Sequence, residues 1–317
     1  MKIFDARRTR ELLPWPALVD ALRAMFRSGC EMPTRHHHAV AVPGEPAATL
    51  LLMPAWAPGE HLGVKVVNVM PGNSARGMPT VVSNYLLSDA RSGEMLALID
   101  GGELTSRRTA AASALAASYL ARPDASHLLI VGTGQLAINM AAAHATVRTL
   151  SRVSIWGRRR DRAQAVGEQV RELLGLAVDV VDDLPTAVRQ AHIISTITLA
   201  SEPLIRGEWL LPGSHLDLVG AFRPDMRESD DEAVRRSSVF VDTRDGACVE
   251  GGDIVQALAS GALTRARIRA DLAELARGEH PGRVDVAEIT LFKSVGAALE
   301  DLAAARLVWQ LAAAGAP

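Results

Sequence analysis

Cysteine is nearly absent: only Cys30 and Cys248 occur, far apart and outside any CxxC or Cys/His ligand spacing. A disulfide framework is thereby excluded and a zinc site unsupported, and a reducing cytoplasm is the expected compartment. Also missing is an apolar run of the roughly 20 residues that a membrane span needs. The nearest stretch, the alanine-rich Thr109 to Ala121, is short and carries Ser113, Ser118 and Tyr119. The first residues, Met1-Lys2-Ile3-Phe4-Asp5-Ala6-Arg7-Arg8, are charged at once and have no secretory apolar core. Neither sign of charge prevails, with 34 Lys plus Arg against 36 Asp plus Glu, so there is no basic field for nucleic acid or an anionic membrane. No Gly-x-Ser-x-Gly elbow, zinc-ligand pair or Walker lysine appears, which removes the commonest hydrolase and phosphotransferase templates. The expected partner is a small molecule.

What is present is the ordinary mixture of a folded enzyme, 48% apolar and 22% charged over 317 residues, long enough for two domains. From His127 onward, short β-branched or leucine-rich runs alternate with helical segments, the pattern of βαβ units in a parallel sheet. Expected strands are His127 to Val131, Arg152 to Trp156, Ala177 to Val181, His192 to Thr196, His215 to Val219 and Val239 to Asp242, about six in all. Right-handed crossovers between them give a Rossmann-type doubly wound α/β sheet. The first hundred residues differ: a helix around Pro16 to Phe26, then alternating segments at Gly63 to Met70 and Thr80 to Ser88 that suggest an antiparallel sheet. A last helix, Gly296 to Ala314, carries Leu299, Leu302, Leu307 and Leu311 on one stripe that needs cover. The expected organisation is therefore an α+β domain of residues 1–113 plus 294–317, with the Rossmann domain, 114–293, inserted.

Gly132-Thr133-Gly134-Gln135-Leu136-Ala137 follows the strand Leu128-Leu129-Ile130-Val131 and opens a helix, so Gly-x-Gly-x-x-Ala stands in the context that makes it a dinucleotide fingerprint. The first glycine permits the tight turn, the second lets backbone approach pyrophosphate, and the helix N-terminus faces the anion. At the end of the second strand the usual ribose-binding acid is missing. Arg158-Arg159-Arg160 stands there instead, Arg158 lying 24 residues after Gly134. A guanidinium suits a 2′-phosphate, so NADP(H) is preferred and NAD(H) remains an alternative.

Lys65 lies inside the apolar run Gly63-Val64-Lys65-Val66-Val67, where an unpaired ammonium is costly. It either salt-bridges in the core or has its pKa lowered so that it donates a proton to a substrate. Arg35, and the Arg107-Arg108 pair just ahead of the alanine-rich helix, are candidates to clamp a carboxylate. His36-His37-His38 invites a metal reading, but alternate residues of a strand face opposite ways, so at most two could reach one ion; no metal is assigned.

Several strings taken together, Met53-Pro54-Ala55-Trp56, Gly63-Val64-Lys65, Pro71-Gly72-Asn73, Met78-Pro79-Thr80, Asp100-Gly101, Thr105-Ser106-Arg107-Arg108-Thr109-Ala110-Ala111 and Leu291-Phe292-Lys293-Ser294-Val295-Gly296, resemble the ornithine cyclodeaminase and mu-crystallin family over nearly the whole chain. The resemblance implies a homodimer with a substrate-binding and dimerisation domain around an inserted Rossmann domain. It implies Arg35, Lys65 and Arg108 as substrate-pocket cations, Lys65 near the reacting carbon and nitrogen, and Val295 as a pocket contact. Thr80, Arg108, Thr196 and Ser294 join the phosphate turn and Arg158 as implied cofactor contacts. Cyclodeaminases of the family carry an assisting aspartate where this chain has Phe222, and Arg223-Pro224-Asp225-Met226-Arg227-Glu228 is similar to the ketimine reductase branch. The implied reaction is NADPH-dependent reduction of a cyclic imino acid, Δ1-pyrroline-2-carboxylate to L-proline, with the six-membered Δ1-piperideine-2-carboxylate to L-pipecolate beside it. Rival readings are an ornithine cyclodeaminase with bound NAD, an alanine or opine-type dehydrogenase, and a non-catalytic mu-crystallin-like ligand-binding protein.

Overall fold

Alternation along His61 to Val69 decides the first sheet. Gly63, Lys65 and Val67 are buried while Leu62, Val64 and Val66 stay half-exposed, as in a strand with one covered face. In the computed structural model, which describes residues 1–315, this strand is β4. The strands before it are β1 (Lys2–Phe4), β2 (His36–Val40) and β3 (Ala48–Ala57), and those after it are β5 (Val81–Asp89) and β6 (Met95–Asp100). They form one sheet in the order β1-β6-β5-β4-β3-β2. β2 to β6 are antiparallel, as the alternation suggested; β1, three residues too short to show a period, pairs parallel with β6. The helix Ala298–Ala313 covers the inner face, packing on β3 to β6, and the helix Trp15–Ser28 packs in turn against that helix. Its alanines let the backbone lie close to the sheet, and ten of its residues are buried, including the acids Glu300 and Asp301.

The helix that follows β6 starts earlier than its alanines suggest, running from Gly101 to Leu120. Gly101-Gly102 hides the start because glycine is a poor helix former; the signal was Asp100, whose carboxylate accepts from the Glu103 N–H at 2.7 Å and caps the first turn. Arg107 and Arg108 consequently sit within the helix and not ahead of it. Two compact units result, Met1–Thr109 with the chain from Ala298 onward, and Ala110–Ala297.

The second unit holds eight parallel strands: β7 (His127–Val131), β8 (Arg152–Trp156), β9 (Ala177–Val180), β10 (Ile193–Thr196), β11 (His215–Leu218), β12 (Ser238–Val241), β13 (Ile268–Asp271) and β14 (Thr290–Lys293). Their order is β13-β12-β14-β11-β10-β7-β8-β9, so the sheet reverses direction between β7 and β10 and has its crevice there. The six expected strands are all present. β13 and β14 escaped because four-residue strands with Arg, Asp or Lys among them show neither an apolar run nor a clear period. Among the described residues no helix is long and apolar enough to cross a membrane.

Candidate active site

In the first unit the site grows from β4. Lys65 faces the covered side of the sheet between Met53 and Tyr85 in the cross-strand register and is 3% exposed. Gly63 precedes it by one pleat because the Tyr85 hydroxyl would stand 2.3 Å from a Cβ at that position. The Lys65 ammonium lies 2.7 Å from Asp301 Oδ2 and donates to Thr105 Oγ1 at 3.4 Å. Asp301 Oδ1 accepts from Arg108 Nε at 3.0 Å, and Glu300 Oε2 accepts from Arg108 Nη1 at 2.7 Å. Burial lowers the Lys65 pKa to about 8; Asp301 opposes this, and Arg108 and Arg35 push it further down. Arg35, half-buried just ahead of β2, is thus within electrostatic reach of the ammonium, and the three expected cations come together.

Two expectations change. Arg108 already spends two of its five N–H groups on Asp301 and Glu300, so a ligand carboxylate would meet only its remaining donors. Arg107 plays no such part: its Nε and Nη2 donate to the Leu13 carbonyl at 3.0 and 2.7 Å, and the guanidinium lies 3.9 Å from the centre of the Trp15 ring. Thr80 is exposed on the loop before β5, its carbonyl accepting from the Met70 N–H at 2.7 Å. His36, His37 and His38 are exposed on edge strand β2, and the His36 and His38 ring centres are 6.3 Å apart. Asp301 and Glu300 were not singled out in the sequence; their signal is two adjacent acids in the first turn of a helix otherwise rich in alanine and leucine, which call for partners if that helix is buried.

In the second unit the phosphate turn has the geometry of its fingerprint. Gly132 adopts φ +133°, closed to other residues, and a Cβ there would meet Ile197 at 2.7 Å. A Cβ on Gly134 would meet nothing within 4 Å, so that face of the turn is open to a ligand. No side chain caps the helix Leu136–Val147 that follows Gln135; the Ala137 N–H donates to the Gly134 carbonyl at 3.0 Å, and an anion at this end would meet the other N–H groups of the first turn. Ala137 is fully buried where helix packs on strand. Beyond β8, Arg159 pairs with Asp161 and Arg160 with Asp182. Arg158 is exposed and takes no carboxylate partner among the described residues. Thr196 ends β10, and Ser294 and Val295 follow β14 directly. Asp242, at the end of β12, holds that last loop: its Oδ2 accepts from the N–H groups of Val295 and Gly296 at 2.6 and 2.7 Å and from Ser294 Oγ at 3.2 Å.

Asp242 was not singled out in the sequence, nor was a second buried set, Glu228, Asp253 and Lys293. Glu228 accepts from four donors: the Thr198 N–H at 2.6 Å, Thr198 Oγ1 at 2.8 Å, the Gly220 N–H at 2.7 Å and the Ala221 N–H at 3.3 Å. Asp253 Oδ1 fixes the Glu228 and Ser229 N–H groups, both at 2.9 Å, and its Oδ2 lies 3.2 Å from the Lys293 ammonium. Burial raises the Glu228 pKa, Lys293 working against it and Asp253 with it. Phe222, on the loop that Glu228 holds, is 46% exposed.

A doubly wound parallel sheet with an open glycine turn at its reversal point, in a chain that also carries a buried lysine with a lowered pKa, defines a nicotinamide-dinucleotide oxidoreductase. Within that class the chain belongs to the ornithine cyclodeaminase/mu-crystallin family, whose model matches residues 6–316. It is 41% identical over 293 residues to a Δ1-pyrroline-2-carboxylate reductase of Paracoccus denitrificans, covering 92% of this chain and 90% of that one. A Δ1-pyrroline-2-carboxylate reductase of Thermococcus litoralis, solved with NADH and L-proline, superposes with a TM-score of 0.92 at 32% identity, over 99% of this chain and 98% of its own. An archaeal alanine dehydrogenase dimer with bound NAD gives a TM-score of 0.90 at 29% identity, over 99% and 97%.

Proposed function

We propose that this protein reduces cyclic ketimine acids, Δ1-pyrroline-2-carboxylate to L-proline and Δ1-piperideine-2-carboxylate to L-pipecolate, with NADPH as preferred reductant. The observation that carries the reading is Lys65: a buried ammonium whose pKa of about 8 suits proton donation near neutral pH, flanked by Arg35 and Arg108. The reductases of Paracoccus denitrificans and Thermococcus litoralis support the substrate class.

The roles divide between the units. The remaining donors of Arg108, with Arg35, hold the substrate carboxylate and set the ring in place. Lys65 Nζ gives its proton to the imine nitrogen, and the iminium so formed makes C2 electrophilic; the nitrogen is that of a secondary amine once C2 has accepted a hydride. When bound, the reduced nicotinamide supplies the hydride that C2 accepts. The turn Gly132 to Gly134 and the helix N-terminus hold the pyrophosphate, and Arg158 takes the 2′-phosphate. Loss of NADPH absorbance with each ketimine acid tests the reaction; no oxidation with either ring size would refute it.

Cofactor choice has its own test. Arg158→Ala should weaken NADPH binding by about 10- to 100-fold, the range of one lost charged hydrogen-bond contact, while NADH binding moves less than about twofold. Equal change in both, measured by titration of the free protein, would remove Arg158 from phosphate recognition.

We also propose a homodimer built on the outer face of the first sheet. Leu52, Pro54, Leu62, Val64, Val66 and Leu86 form a half-exposed apolar surface there, larger than isolated apolar side chains and of the kind that subunits cover. The dimeric alanine dehydrogenase supports this reading, and the solution mass decides it.

A further inference from the structure

Two loops leave the carboxyl ends of adjacent strands beside the sheet's reversal point, Ile197 to Ala200 after β10 and Val219 to Phe222 after β11. They are pressed together: a Cβ on Gly220 would lie 2.0 Å from the Thr198 carbonyl oxygen. Glu228 is fully buried behind them and its carboxylate bonds both, through Thr198 on one side and Gly220 and Ala221 on the other. Its own backbone is fixed by Asp253. The segment joining Phe222 to Glu228 is anchored as well, since Gln256 Nε2 donates to the Pro224 and Met226 carbonyls at 2.9 and 3.1 Å and a Cβ on Gly252 would strike Met226 O at 1.9 Å. In a doubly wound sheet the dinucleotide crosses the crevice, the adenosine half on the side of the first turn and β8, the other half outside the strands beyond the reversal. Ile197, next to Thr198, already buttresses Gly132.

We infer that Glu228 is a positioning residue for the nicotinamide half of the cofactor site: it locks the loops after β10 and β11 as one unit beside the phosphate turn. The inference rests on the dinucleotide reading of the crevice and not on the identity of the substrate. A carboxylate is required because all four contacts are donors. Glutamine would present an amide N–H₂ to one of the two loops, leaving buried backbone donors unpaired, and aspartate is one methylene too short to reach both.

The experiment compares binding of NADH with binding of ADP-ribose, which lacks the nicotinamide, by calorimetric titration of the full-length protein and its variants. Glu228→Gln should weaken NADH by about tenfold or more, the effect of orphaning a buried donor, and leave ADP-ribose within about twofold; Glu228→Asp should fall between. If Glu228→Gln does not fold, Thr198→Val, which removes one of the four donors and leaves the backbone in place, should lower the NADH to ADP-ribose affinity ratio about threefold. Equal loss of both ligands, or a melting temperature that drops with no change in the ratio, would overturn the positioning role and leave Glu228 as a purely structural residue. Turnover of ketimine acids by the parent protein is scored apart from this: its absence would sink the substrate reading while the binding ratio still decides Glu228.

Discussion

Asp301→Ala should destabilise the protein by about 3–5 kcal/mol at neutral pH, among the largest losses a single side chain can cause here. Asp301 is fully buried and serves two cations, Lys65 through Oδ2 and Arg108 through Oδ1. Taking it away strands the ammonium in a site where burial holds the pKa down to about 8 even with Asp301 opposing it, and leaves Arg108 with Glu300 as its remaining carboxylate among the contacts described. The pH dependence identifies the cause. In the parent protein Lys65 is charged below about 8 and needs Asp301; above that it is neutral and needs it less. The gap between parent and variant in urea unfolding should therefore narrow as pH rises through 8. Asp301→Asn, which keeps an acceptor for Arg108 Nε, should cost less than alanine. A flat gap across this range, or a loss below about 1 kcal/mol, would mean that Lys65 does not depend on Asp301 for its charge.

The same pair shows where the sequence could be read and where it could not. Lys65 was visible because a lone charge inside Gly63 to Val69 breaks a two-residue apolar alternation, and physics then demands a partner or a purpose. Which partner was not visible: Asp301 lies 236 positions away on a helix whose alanines and leucines drew attention to its apolar stripe. Register across β3, β4 and β5 supplies the missing step, since Lys65 shares the covered face that this helix packs upon. The phosphate turn was legible because strand, glycines and helix are contiguous, so local geometry follows from local sequence. Arg158 was marked among three arginines by its spacing, 24 residues after Gly134. The ion pairs of Arg159 with Asp161 and of Arg160 with Asp182 single it out, and those depend on side-chain placement. Glu228 is the reverse case, for it stood inside a string compared with other family members while its four bonds reach back to loops 8 and 30 positions away. Carboxylates that fix loop backbones leave no periodic trace. The strands β13 and β14 were lost for a related reason, as the parallel sheet that buries them tolerates polar residues at their ends.

Lys65→Ala should lower turnover by about 10²- to 10⁴-fold, the usual worth of a positioned general acid, while the affinity for NADPH changes less than about threefold because the phosphate turn and Arg158 lie in the other unit. The pH profile ties the loss to proton donation. The reacting form of Lys65 is protonated, so parent turnover should fall as pH rises through about 8, and this limb should vanish from the residual activity of the variant. Stability moves the other way. A lysine whose folded pKa lies below its unfolded value of about 10.4 disfavours the fold most below 8, where it is charged in both states. That cost is relieved as pH climbs toward the unfolded value, where Lys65 is neutral in both. Activity that falls above pH 8 while Lys65 itself makes the fold no weaker is thus the mark of a spent proton donor and not of unfolding. Were Lys65→Ala to retain the alkaline limb, the titrating group would be the substrate imine or another side chain, and Lys65 would be left with holding Asp301 in place.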